Sequence, residues 1–299
     1  MYHQITRNKR KSIVIVALFL LVWLAAGFII GVIAGGTSYG IVGAIILGVL
    51  GVLAALYSYY FGSATVLSAV GAREADPGQF QQLYNIVQTL AIGDGLPVPK
   101  VYIIDDPSPN AFATGRDPQH AAVTVTTGLL QIMNRTEVEG VLAHEMSHIK
   151  NFDVRLLLVV TTMIGLAAII ASVYWNGAFR IRSRDSRAML VVFAVGIIFT
   201  LIAFVVGPLM QLALSRQRES LADASGVDLT RNPAGLISAL KKIAQNEKPP
   251  QKFNHAVAAM FIDNPNEHHG GFFNHLFDTH PPIEERIAAL EKIASVQQT

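Results

Sequence analysis

Val141-Leu-Ala-His144-Glu145-Met-Ser-His148-Ile-Lys150 contains the pattern His-Glu-x-x-His. Residues four apart share one face of an α-helix, so His144 and His148 can direct two imidazole nitrogens at one metal ion. Glu145 follows the first histidine. There it lies beside the ion without binding it and can take a proton from an activated water. The flanking residues predict a helix: Thr136 and Glu139 have capping-box spacing, and Val138, Val141 and Leu142 form an apolar stripe. The bland alternative is a His-Glu pair on an ordinary surface helix, and the rest of the chain must decide between the two.

Composition narrows the choice. Of 299 residues, 52% are hydrophobic and only 15% charged. No charged residue occurs from Ser12 to Ala72, from Leu156 to Phe179, or from Ala188 to Ser215. The first stretch is long enough for two membrane helices and each of the others for one, which predicts four apolar membrane segments in a lipid bilayer. A soluble core would need far more amphipathic helices than remain. Net charge is +2, with basic residues beside apolar segments instead of interleaved with aromatics, so nucleic-acid binding has little support and no nucleic-acid partner is expected. The chain has no cysteine, so a metal here must be held by His, Asp or Glu.

Arg7, Lys9, Arg10 and Lys11 precede the first span, about Ile13 to Ala34. That span is too long for a signal peptide and a second follows almost at once, from about Tyr39 to Phe61. The positive-inside rule then places the N-terminus, and the polar region after the second span, in the cytoplasm. A helix from about Pro77 to Ala91 and strands at Lys100 to Ile104, Asn110 to Gly115 and Ala121 to Thr126 lead to the histidine helix. Leu156 to about Tyr174 and Ala188 to about Leu214 read as a second hairpin. The arginines at 180, 182, 184 and 187 in its loop run against the positive-inside rule. If the histidine helix continues unbroken into the third segment, the metal lies roughly 10 Å from the apolar boundary. Asn232-Pro233 and Pro281-Pro282 each start an amphipathic helix, the latter carrying Ile283, Ile287 and Leu290.

Two histidines leave a catalytic metal one ligand short. Glu219 is the best candidate, on a segment that would run beside the histidine helix if the third and fourth apolar segments pair. Asp223 lies one turn on and can hold a ligating imidazole by its second N–H. The alternative is a solvated charged face shared with Arg216 and Arg218.

Four stretches in order carry a resemblance: Ala143-His144-Glu145-Met-Ser-His148-Ile, Ser215-Arg-Gln-Arg-Glu219-Ser-Leu-Ala-Asp223, Asn110-Ala-Phe-Ala-Thr-Gly115 and Thr279-His280-Pro-Pro282. Together they resemble the HtpX family of bacterial membrane zinc metalloproteases, relatives of the CAAX prenyl proteases, over nearly the whole chain. The resemblance implies one zinc ion (Zn2+) per chain on His144, His148 and Glu219, with Glu145 as catalytic acid/base. It also implies cleavage of misfolded or damaged membrane proteins in stress quality control, at the bacterial cell membrane. Ser220 departs from the bulky residue common after the third ligand, without touching a metal-binding atom.

The fold expected is α+β and mainly helical, a zincin-like (gluzincin) catalytic domain with four apolar membrane segments. Its parts are an N-terminal transmembrane hairpin (1–62), a first catalytic half (63–155), a second membrane hairpin (156–214) and a second catalytic half (215–299). Substrate is expected to add as a strand beside Asn110 to Thr114, although that stretch reads equally well as an interior strand. His280 can donate to an oxyanion or serve only the Pro-Pro turn. His268, His269 and His275 sit in a Gly-rich stretch and read as solvated. Two rivals are weighed. An intramembrane protease of the site-2 type would bury the motif in an apolar span, whereas Glu137, Glu139, Lys150 and Asp153 surround it here. A non-enzymatic scaffold or chaperone would be expected to have lost Glu145 or a ligand.

Overall fold

The computed structural model describes residues 2–178, 186–201, 216–245 and 282–297. Two long apolar helices lead, α1 (Tyr2–Gly35) and α2 (Thr37–Ala69). The chain reverses at Gly36, whose φ of 95° is open to glycine and costly for other residues. The two helices meet backbone to backbone. A Cβ on Gly27 would lie 2.2 Å from the Gly43 carbonyl oxygen. Lipid offers no hydrophobic drive for helix pairing, so close approach through small residues supplies the contact instead. Ile13, Leu21, Ile45 and Leu53 point outward and are more than half exposed, as lipid-facing residues are. Ile5–Gly35 and Thr37–Ala69 are each long and apolar enough to cross a membrane.

A four-stranded sheet follows, in the order β1 (Arg73–Glu74), β2 (Lys100–Ile104), β4 (Ala121–Thr126), β3 (Ala111–Gly115). β2 and β4 are parallel; β1 and β3 pair antiparallel to their neighbours. β3 is therefore an edge strand, in register from Ala111 opposite Val125 to Gly115 opposite Ala121. The two-residue period of the strands separates two cores. Val101, Ile103, Val123 and Val125 pack with Leu83, Val87 and Leu90 of α3 (Gln81–Asp94) and with Val141, Leu142 and Met146 of α5 (Arg135–Lys150). Ile104, Phe112 and Ala122 face the other way, against Val66, Leu67, Leu156 and Leu158. One face of the sheet thus holds the histidine helix and the other meets the ends of the apolar helices.

Two local expectations are corrected, and one stated condition is not met. α3 starts at Gln81, not near Pro77, because the Asp76 carboxylate accepts from the backbone N–H groups of Gly78 and Gln79 and holds a turn there. The short α4 (Thr127–Ile132) then leads into α5, whose capping box is Asn134 with Glu137, not Thr136 with Glu139. Glu137 is drawn inward because Ser238 and Lys242 also bind its carboxylate. The histidine helix also does not run on into the third apolar segment. It closes at Asn151, Phe152 takes a left-handed φ of 60°, and α6 (Asp153–Ala178) leaves at about 81° to α5.

α7 (Ser186–Leu201) is apolar from Met189 to the end of its described length, which is where that stretch of described residues ends. By length and composition, two described helices can cross a membrane, or three if the bent pair of α5 and α6 counts as one span. The loop of the expected second hairpin and its last turns lie partly outside the described residues. Beyond them come α8 (Arg216–Thr230), α9 (Pro233–Ala244) and α10 (Ile283–Gln297). α9 is capped by Asn232 with Pro233 in its first turn, as its sequence suggests.

Candidate metal centre

The site forms where α8 lies against α5. The approach is close: a Cβ on Gly226 would sit 3.0 Å from the His144 backbone nitrogen. Glu219 of α8 is thereby brought opposite the two histidines of α5. His144 Nε2 and His148 Nε2 are 3.2 Å apart, and Glu219 Oε2 lies 3.5 Å from the first and 3.6 Å from the second. A tetrahedral ion with bonds of about 2.0–2.1 Å separates its ligand atoms by roughly 3.3–3.4 Å. The three distances bracket that edge length. His144, His148 and Glu219 are the group able to hold a metal ion among the described residues. All three are buried, as is Glu145.

The outer atoms of each ligand are held as well. His144 Nδ1 donates to Asp223 Oδ1 at 2.8 Å. Asp223 in turn accepts a two-pronged contact from Arg286 of α10, Nη2 to Oδ1 at 2.7 Å and Nε to Oδ2 at 3.0 Å. His148 Nδ1 donates to Asp153 Oδ2 at 3.1 Å. Arg218 Nε donates to Glu219 Oε1 at 3.3 Å, leaving Oε2 turned toward the imidazoles. A carboxylate on the far nitrogen fixes a ring's tautomer and raises its basicity as a ligand. Both histidines therefore present Nε2 inward.

Electrostatics agree with the geometry. Burial alone would push the His148 pKa down, but Glu219 and Asp153 outweigh it and the ring is pushed up to about 10. His144 is also raised: burial and Arg286 oppose its charge, and Asp223 with Glu219 overcome them. Asp223 is held well below the usual carboxylate range; burial opposes this, and Arg286 and His144 reverse it. A pocket with this excess of negative charge calls for a cation, and the two nitrogens and one oxygen fit a metal ion well.

The chain's relatives point the same way. Residues 77–294 match the model of peptidase family M48. The chain belongs to peptidase family M48. It is therefore a metalloprotease, and its two leading helices make it a membrane one. Proteins named "Protease HtpX homolog" are 42% identical in Caldanaerobacter subterraneus subsp. tengcongensis, covering 98% of both chains, and 44% identical in Ligilactobacillus salivarius, covering 97% of this chain and 99% of the other. The crystal structure of S. mikatae Ste24p superposes with a TM-score of 0.49 at 18% identity, over 83% of this chain and 57% of that one.

In this M48 peptidase, Glu219 and Asp223 lie where the four-residue spacing places them, on one face of α8 toward His144. The stretch Asn110 to Thr114 is the sheet edge, not an interior strand. His280 and the histidines at 268, 269 and 275 lie outside the described residues. Two contributors escaped the sequence reading. Asp153 follows a corner that no glycine or proline announces. Arg286 had a legible signal: with Ile283 and Leu290 it shares the apolar face of the last helix, where a solvated arginine does not belong.

Proposed function

We propose that the chain is a zinc endopeptidase that holds one Zn2+ on His144, His148 and Glu219 and hydrolyses peptide bonds of misfolded or damaged membrane proteins. The near-tetrahedral spacing of the three ligand atoms, each backed by a second hydrogen bond, carries the reading. Zinc bound there supplies Lewis acidity, lowering the pKa of water toward neutrality and polarising a carbonyl. Glu145, buried on the same helix, takes the proton of the attacking water and delivers it to the departing amine nitrogen. Asp223 and Asp153 keep both rings on the correct tautomer throughout. His280 is proposed as a donor to the oxyanion.

The substrate strand is proposed to add to the sheet beside β3, its last strand, along Asn110 to Thr114. Backbone hydrogen bonds would hold it with little regard to sequence, which suits a protease of varied misfolded chains. The position of β3 as an edge strand in contact with α5 supports this. We further propose a zincin-like catalytic domain divided between residues 63–155 and 215–299. The hairpin of residues 1–62 and the apolar segments of 156–214 anchor it in the cell membrane, with the site facing the cytoplasm. The four basic residues between Arg7 and Lys11, at the start of α1, support that orientation.

Glu145→Gln tests the chemistry. The variant should keep a full complement of zinc and lose nearly all cleavage of an unfolded membrane protein presented in detergent. Substantial turnover by Glu145→Gln would remove this residue from the mechanism.

A further inference from the structure

The corner between α5 and α6 carries a second set of contacts, and they come from the start of the chain. Asn8, in the second turn of α1, is only 3% exposed. Its side-chain amide donates twice, to Asp153 Oδ1 at 2.6 Å and to the Asn151 carbonyl at 2.9 Å. The other oxygen of Asp153 accepts from His148. Asn151 and Asp153 are themselves almost wholly buried. Next door, the Lys9 ammonium lies 4.2 Å from the centroid of Phe152, the residue with left-handed φ, and the Arg155 guanidinium lies 4.9 Å from the same ring. A non-glycine residue at positive φ is strained and persists where its surroundings hold it. Here a membrane helix supplies part of that hold.

We propose that the first membrane helix is part of the metal centre: Asn8 is a positioning residue that fixes the Asp153 carboxylate against the His148 ring. The chemistry requires an amide. A carboxylate at residue 8 would face Asp153 with like charge, and an aliphatic side chain would leave both Asp153 Oδ1 and the Asn151 carbonyl without this donor in a buried place. With Asn8 present, one carboxylate is satisfied on both oxygens and cannot rotate away from the imidazole. The hairpin of α1 and α2 then does more than tether the catalytic domain. A displacement of α1 relative to the corner reaches the metal through two hydrogen bonds, Asn8 to Asp153 and His148 to Asp153. This inference rests on the metalloprotease reading.

The test uses the full chain in detergent and reads zinc affinity by competition with a chromophoric chelator. It also reads the visible absorption of the Co2+-substituted protein, which reports the geometry of the ligands. Asn8→Leu should weaken zinc binding about 10-fold or more, the range in which groups behind a ligand act, and should alter the Co2+ spectrum. Asp153→Asn should do the same, and adding Asn8→Leu to it should cost little more, because both act through one hydrogen-bonded pair. Ile15→Ala is the control. Ile15 is buried two turns along the same helix against the cluster containing Leu156, away from Asp153. It should lower thermal stability and leave affinity and spectrum as in the parent. Parent affinity and spectrum in Asn8→Leu would overturn the proposal, and so would an equal loss of affinity in Ile15→Ala, which would mark a merely structural effect. A parent protein that binds no zinc would overturn the metal reading itself, and this inference with it.

Discussion

Arg286 and Asp223 make the site's most exacting prediction. They come from helices α10 and α8 and meet with side chains only 2% and 5% exposed. Asp223→Leu removes the acceptor of both Arg286 contacts and of the His144 N–H. Breaking a buried ion pair from one side costs about 3–5 kcal/mol, because the other charge stays buried and uncompensated. Against a total stability of about 5–15 kcal/mol that is a large fraction. Arg286→Met should cost somewhat less, since His144 still contacts the carboxylate. The double variant Asp223→Leu with Arg286→Met removes both charges and should regain most of the lost stability, as apolar replacements of buried pairs commonly do. It should not regain zinc affinity. His144 has still lost the group that orients it, and the deficit should remain about 10- to 100-fold, or about 1.4–2.7 kcal/mol. Calorimetric unfolding of chelator-treated protein in detergent reads the stability, and chelator competition reads the affinity. Parent-like stability in Asp223→Leu, or full recovery of zinc affinity in the double variant, would refute the reasoning.

Other outcomes follow from the same structure. The metal-free protein should lose stability as pH rises from about 7 toward 10. His148 is raised to about 10 when folded against roughly 6.5 when unfolded, so its contribution is complete below the lower value and vanishes through the upper. Zinc affinity should move oppositely and strengthen over that range as the ligands shed protons; a flat melting profile of the metal-free protein would contradict the charge assignment. Gly43→Val should loosen the leading hairpin by about 1–3 kcal/mol, because its Cβ would meet the Gly27 carbonyl oxygen at 2.2 Å. An unchanged melting temperature would show that the helices do not pack this way in detergent. In this cysteine-free chain, Thr37→Cys at the hairpin turn should react with a membrane-impermeant thiol reagent on intact cells, and the exposed Gln88→Cys should not. The reverse pattern would turn the site outward.

What the sequence disclosed, and what it withheld, follows from the range of each signal. His144 with His148, and Glu219 with Asp223, were legible because helical periodicity alone puts residues four apart on one face. The two leading apolar helices were legible from composition. The strands were legible as short apolar runs, but their faces were not: only the packed structure turns Phe112 away from Ala111 and Ala113, and no local signal says which strand ends a sheet. The helix start was ambiguous because two capping boxes overlap, Asn134 with Glu137 and Thr136 with Glu139. The distant Ser238 and Lys242 favour the first. The corner at Phe152 lay out of reach for the same reason. Its left-handed backbone is accompanied by contacts from Lys9 and Arg155, the first of them separated by more than a hundred residues of chain. Asp153 and Asn8 then became invisible together, since each matters only once that corner exists.

The central claim is that one zinc ion sits on two imidazoles and one carboxylate. X-ray absorption at the zinc edge of detergent-purified protein, with metal analysis on the same sample, tests it most directly. The account predicts one zinc per chain with two histidine nitrogens and carboxylate oxygen at about 2.0–2.2 Å, and loss of that shell in Glu219→Ala. A shell of three imidazoles, or an unchanged spectrum in Glu219→Ala, would contradict it.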